Sequence, residues 1–413
     1  MDRREFIKLM ASAAVVAAGS RLFADEGKVN KEAKVNVPER NRRPYSNVDW
    51  GHSYQIHTTT HGHCPNQARL NAFLERGFGL LTLSNYYPSA PYWPASKMTV
   101  NYYRVHHDFP VMVKGVRTDG PFDWNKILAP WIDEVDEQYR KQYPFVEGGP
   151  LFKPLPEGIL EAPNAEHHGF TDSRTHICAP GSAYASGTFD ARDFFKSKSH
   201  GYHFGTGEPW RTAVSRMIDG LIFPDGGGVT INHPTWTKLD KAHMMEILDY
   251  DPRVLGIEVF NESAGDKNKY PWSDSYSEDY WDHALGLGRQ CFGFFVPDWG
   301  VKEGTNVLIV KEKTVHECMK AYRQGNWFGA IKGRGILNFT YIGFDGAKLL
   351  ATTDKPARFQ VISKQGVISE TTGDKLEFTI AKDDYAKNTF LRIKAFATND
   401  SGEIIFSQPF MLD

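Results

Sequence analysis

Histidine and acidic residues stand at the ends of short apolar runs in six places. They are His57 in SYQIHTTTHGHC, Glu161 in EGILEAPN, His176 in RTHICAP, His233 in VTINHPTW, Glu258 in GIEVFNES and Asp298 in FFVPDWG. Imidazole and carboxylate together, with few thiols nearby, form the donor set for Zn²⁺, Mn²⁺ or Fe²⁺. A buried strand that ends in such a residue delivers it to the mouth of a parallel barrel, where the active sites of those folds lie. The chemistry expected is hydrolysis by metal-activated water, with a divalent cofactor of one to three ions.

The expected metal ligands are His57, His61, Glu161, His176, His233 and Asp298. Thr59, His61 and His63 share the face of His57 if its strand continues, because strand side chains repeat every two residues. If the strand stops, His61 and His63 belong to a surface loop. His233 follows the β-branched run Val229-Thr230-Ile231, and Pro234 ends that strand. His176 or His233 is a ligand or the proton-transfer catalyst. Glu258, between Ile257 and Val259, is a charge inside an apolar strand. Such a charge needs a partner: a metal, a ligand histidine to orient, or a salt bridge. Arg174 and Arg211 are candidates to hold an anionic substrate. His203, in a Gly-rich loop, is a candidate substrate contact. The adjacent pairs His106-His107 and His167-His168 can each present at most one ring to a site, because neighbours on a strand point opposite ways.

These residues need elements to hold them. From about residue 47 to 335, amphipathic stretches alternate with short apolar runs. Helices are predicted over 66–76, 210–221, 241–250, 280–290 and 314–325, with strands such as GGVTINHP, VLGIEVFN and CFGFFVPD between them. Helix–strand units with polar residues at the strand ends predict an α/β barrel. Residues 86–110 and 179–209 break this rhythm and read as long functional loops. From about 340, alternating runs such as ARFQVIS, KLEFTIA and NTFLRIKAFAT predict a small antiparallel, sandwich-like β domain. The expected organisation is therefore an export signal over 1–24, a linker over 25–45, a hydrolase barrel over 46–339 and a β domain over 340–413.

The wider composition fits this. A chain of 413 residues with 41% hydrophobic residues can bury a core without disulfides. A net charge of -2 gives no reason to expect nucleic acid, so the expected partner is a small-molecule substrate. The start, with Arg3-Arg4 before the Ala-rich stretch from Leu9 to Ala18, resembles a twin-arginine export signal cleaved after Ala24. That implies a periplasmic protein. No later run is long and apolar enough to span a bilayer. Cys64, Cys178, Cys291 and Cys318 are scattered, without a CxxC pair, and read as four buried or free thiols.

At the candidate ligands the chain resembles the polymerase-and-histidinol-phosphatase (PHP) superfamily of metal-dependent phosphoesterases, and within it an exported branch with a C-terminal β domain. The resemblance covers roughly residues 47–413. SYQIHTTT looks like the first motif, Asp-Leu-His-x-His-Thr, and GFGLLTLSNYY like the second, which ends Thr-Asp-His. Glu161 and His176 fit the middle metal positions, NHP and GIEVFN resemble two later motifs, and VPDWG the last, Asp-x-His. The resemblance implies a distorted seven-stranded (β/α) barrel and a phosphoesterase. Four implied ligand positions differ: Thr59, Asn85, Tyr86 and Gly300 stand where the family has His, Asp, His and His. Cleavage of another ester, an amide or a glycosidic bond, or a periplasmic glycan-binding protein that has lost catalysis, are the other readings.

Overall fold

A computed structural model describes residues 39–64, 66–84, 152–184, 208–332 and 336–412. The export segment, the loop at 86–110 and His203 lie outside the described residues. The chain divides into two units, Met1–Glu39 and Arg40–Asp413, and the fold is that of the second.

Its centre is a five-stranded sheet in the order β4-β5-β6-β7-β8, built from Glu166–His167, His176–Cys178, Val229–Asn232, Val254–Asn261 and Phe292–Val296. The β4-β5 and β5-β6 pairs are antiparallel, while β6-β7 and β7-β8 are parallel. Every residue of β6, β7 and β8 is buried. That is why these strands read as continuous apolar runs in the sequence. Helices α2 (Trp210–Asp219), α4 (Lys241–Leu248) and α5 (Glu278–Gly286) cover the sheet. Trp210, Met217, Met244, Ile247, Trp281 and Leu285 pack there in one cluster with Ile231, Ile257 and Phe295. A fourth helix, α3 (Pro234–Thr237), is a single turn directly after β6, and α1 (Gln67–Glu75) lies earlier in the chain. The predicted helices at 66–76, 210–221, 241–250, 280–290 and 314–325 are all present, the last as α6 (Val315–Gln324).

A nine-stranded antiparallel sheet runs alongside. β1 (Tyr54–Thr58) pairs with β9 (Thr305–Val310), β9 with β10 (Trp327–Ile331), and β10 with β15 (Ile404–Phe406). The sheet continues through β14 (Phe390–Ala397), β12 (Lys348–Ser363) and β11 (Phe339–Phe344), with β13 (Gly366–Thr379) and β16 (Phe410–Met411) at its sides. The predicted C-terminal strands therefore form, and β15 carries them back onto β10. β2 (Leu80–Leu81) and β3 (Leu160–Glu161) make a short parallel pair.

No sheet closes on itself among the described residues, so the expected closed seven-stranded barrel is corrected to three open sheets. They are joined by isolated bridges, His57 to Phe78 and Gly62 to Asp298, in place of full ladders. The physical reason lies in length: β2, β3 and β4 hold only two residues each, too short to carry a continuous ladder around a ring. The two larger sheets meet at Gly329 of β10, where a Cβ would fall 1.8 Å from the Phe295 ring of β8. Only glycine permits that approach.

Candidate metal centre

His61 and His63 lie past the end of β1, yet both are fully buried. Neither sequence expectation, a continued strand or a surface loop, describes them. The chain stays inside because its backbone is tied down on both sides. His63 N–H donates to Asp298 O and Asp298 N–H donates to His61 O, each at 3.0 Å, while Gly62 N–H donates to Ser84 Oγ at 2.9 Å. Both rings are thereby delivered beside the end of β8.

Four donor atoms converge there. His61 Nε2 lies 3.2 Å from His63 Nε2, 3.3 Å from Glu166 Oε2 and 3.2 Å from Asp298 Oδ1. His63 Nε2 lies 3.1 Å from the same Glu166 oxygen and 3.2 Å from the same Asp298 oxygen. One ring N–H points at one acceptor, so hydrogen bonding cannot serve all these contacts at once. A single cation at the centre would. Metal–ligand bonds of 2.0–2.2 Å in a tetrahedron set ligand atoms about 3.3 Å apart, which matches the spacing of the two imidazoles from each other and from each carboxylate. The residues present therefore fit a divalent ion.

The tautomer of His61 is set from behind. Its Nδ1 lies 2.8 Å from Glu258 Oε1, which orients the ring and leaves Nε2 facing the cluster. The other oxygen of Glu258 accepts from His233 N–H and from Asn261 Nδ2, each at 2.9 Å. Asn261 also donates to Asp298 Oδ2 at 3.1 Å. The buried charge inside the apolar strand β7 is thus accounted for: it orients a histidine and holds the end of β6 in place.

A second group of donors adjoins the first. Glu166 Oε1 lies 2.8 Å from His176 Nδ1 and 3.5 Å from His233 Nε2. Glu166, His176 and His233 meet the spacing of a metal-binding trio, as do His61, His63 and Glu166. Glu166 joins both groups, one oxygen to each. His233 and Asp298 both adopt left-handed backbone, with φ of 26° and 54°. Non-glycine residues held there carry strain that clusters at functional sites.

The electrostatics follow from burial and charge. Burial alone would lower His61 and His63, but the carboxylates around them lift both above their ordinary value, His61 strongly. Burial alone would raise Glu166 and Asp298, but the charge of His61 and the other histidines beside them holds both carboxyls below the usual range, Glu166 far below. Ionised carboxylates with so little solvent need cationic company. Next to them, burial and the neighbouring charge of His176 push His168 down to about 3.

A cavity of about 120 Å³ opens onto the cluster, lined by Glu166, His176, His233, Asp298, Trp236 and Trp299, with Ser263 and Ala264 beside them. Trp299 stacks on His63 at 4.5 Å. Of the residues expected from sequence, His61, His176, His233, Glu258 and Asp298 are brought together. His57 and Glu161 are not among the converging groups. His57 is half-buried on β1, its imidazole lowered by burial and by Arg76. Glu161 is half-buried on β3. Arg174 is exposed, and Arg211 lies on α2, 3.5 Å from Glu246 and over the Trp210 ring. Thr59, expected as a failed ligand, donates its hydroxyl to His61 O at 2.8 Å. Two residues further on, His61 and His63 bring their rings together, with Nε2 atoms 3.2 Å apart. Gly300 leaves no room for the histidine the resemblance places there: a Cβ would sit 2.1 Å from Glu262 Oε2. That oxygen accepts from Lys302 N–H and Glu303 N–H at 2.9 Å. Asn85 and Tyr86 lie outside the described residues.

Glu166, the residue shared by both groups, was not singled out by its sequence. Its one signal is an acidic residue in NAEHH, a run whose five residues all prove buried. The four cysteines are buried as well. Cys178 accepts from Asn232 Nδ2 at 3.2 Å, packing beside the site as a small residue.

No family model matches the chain, and no curated protein matches it either. One solved structure is similar: a two-domain protein from Bacteroides vulgatus containing a predicted PHP-like metal-dependent phosphoesterase. The two share 10% identity with a TM-score of 0.40, over 91% of this chain and 98% of that one.

Proposed function

We propose that the protein is a metal-dependent hydrolase that cleaves a phosphoester of a small molecule, and that it acts outside the cytoplasm after twin-arginine export. The observation that carries the reading is the convergence of Glu166 and Asp298 on the paired imidazoles of His61 and His63, each carboxylate 3.1–3.3 Å from both rings. These four residues would hold one divalent ion. Glu166, His176 and His233 would hold a second. Bound divalent ions supply Lewis acidity and water activation at neutral pH.

The chain's own residues do the rest. Glu258 fixes His61 through Nδ1 and locks the backbone at His233. Asn261 ties Glu258 to Asp298, so the two strand ends keep their spacing. His176 is the site histidine with appreciable exposure, 24% of its side chain, and it lines the cavity. As a ligand of the second ion it would keep one edge of its ring toward the cavity, where a bound substrate meets it. Trp299 shields the His63 face from water.

The test is elemental analysis of protein purified without chelator, followed by assay. About two equivalents of Zn, Mn or Fe are expected in the wild type. His61→Ala and Glu166→Ala should lose most of it, and His57→Ala should keep it. The loaded protein is then offered p-nitrophenyl phosphate, bis-p-nitrophenyl phosphate, p-nitrophenyl acetate and p-nitrophenyl glucoside. Turnover of a phosphoester that fails in His61→Ala supports the proposal. No metal even after reconstitution overturns it, and bound metal with turnover of the acetate or glucoside alone overturns the phosphoester assignment.

A further inference from the structure

We infer that Trp236 is a specificity determinant that stacks on a six-membered ring carried by the substrate's leaving group. The inference rests on the proposed metal centre and extends it. The first observation is size. The cavity over the cluster measures about 120 Å³, whereas pockets that enclose a drug-sized ligand start near ~300 Å³. It admits the reacting group and leaves the rest of the substrate on the lip.

The second observation is what stands on that lip. Trp236 is 49% exposed, although it lines the same cavity. It stands nearly perpendicular to His233, at 83° and 5.0 Å, and to His176, at 73° and 5.8 Å. The turn that carries it is pinned. Thr235, the residue before it, donates Oγ1 to Tyr276 O at 3.0 Å and reaches Ser277 Oγ at 2.7 Å, while Pro234 starts the turn. An indole on a pinned turn, half wet and edge-on to His233 and His176, offers a face for a flat ring. A sugar's C–H face and an aryl ring both offer such a surface.

Hydroxamates test this without turnover, because they chelate divalent metals whatever the reaction. Acetohydroxamate, cyclohexanecarbohydroxamate and benzohydroxamate are titrated by calorimetry into metal-loaded wild type, Trp236→Phe and Trp236→Ala, with metal content measured in each. The expected result is that Trp236→Ala weakens the ring-bearing probes about tenfold and acetohydroxamate less than twofold. Trp236→Phe should keep most of the ring preference. A larger loss for the cyclohexane probe identifies a sugar-like ring, and a larger loss for the benzene probe an aryl group. Equal losses on all three probes, or none on any, overturn the inference while the metal centre stands. A wild type that takes up no metal and binds no hydroxamate overturns both.

Discussion

Glu262 fills the space beside Gly300, and this has a direct consequence for substitution. Gly300→Ala sets a methyl group against a carboxylate fixed by two backbone N–H groups and by Lys267 at 2.7 Å. The expected loss is about 1–3 kcal/mol by denaturant unfolding. Combining it with Glu262→Ala should recover part of that loss, so the two changes are non-additive. Residues of this kind differ in how far the sequence announces them. Glu258 was legible because a charge inside an apolar strand demands a partner. Asp298 and His233 were legible as polar ends of buried runs. Glu166 was not, because β4 is too short to give a periodic signal, and its neighbours His167 and His168 masked it. His57 looked like the better ligand because it sits on a regular strand, but the converging groups are reached by His61 and His63, past the strand's end.

At the scale of elements, the parallel strands β6, β7 and β8 do the positioning, and their continuous apolar runs made them and their helices readable. The bridges that stand in for a closed barrel were not readable, because strands of two residues leave no pattern. β15 is the element that returns the C-terminal strands to β10, and Glu403 sits immediately before it. Burial raises this carboxyl to about 7, above the ~4.3 of an unfolded chain. The sign follows. Below about pH 4 the group is neutral in both states and has no effect. Between about 4.5 and 7 the unfolded chain ionises first, so stability falls as pH rises, and above 7 the penalty is constant. Its size is of order 1 kcal/mol after screening. Glu403→Gln should flatten the dependence of thermal melting on pH over that window, and an unchanged slope would refute the assignment. The Leu337 N–H bond at 3.0 Å can pass to the amide oxygen, so the contact is retained.

Across the whole molecule, the site depends on strands far from it in sequence. Gln408 accepts from Gly293 N–H at 2.8 Å and donates to Gly293 O at 2.9 Å, stitching residues 115 apart onto β8. Tyr45 donates to Trp327 O at 2.6 Å and accepts from Gln408 N–H at 2.7 Å. Residues 40–413 should therefore melt in one calorimetric transition, and a chain cut after 403 should show neither that transition nor bound metal. Two resolved transitions would instead favour independent units joined near 339. Nothing in the alternating β pattern after 340 revealed this stitching, because pairing partners are a tertiary property. The Gln408 clasp also orders events in time. His61, Glu166 and Asp298 leave the ribosome well before residue 408, but the strand that aims Asp298 lacks its edge support until then. The centre thus ripens only after synthesis has passed the clasp, and a nascent chain stalled before it would carry the ligands without the grip.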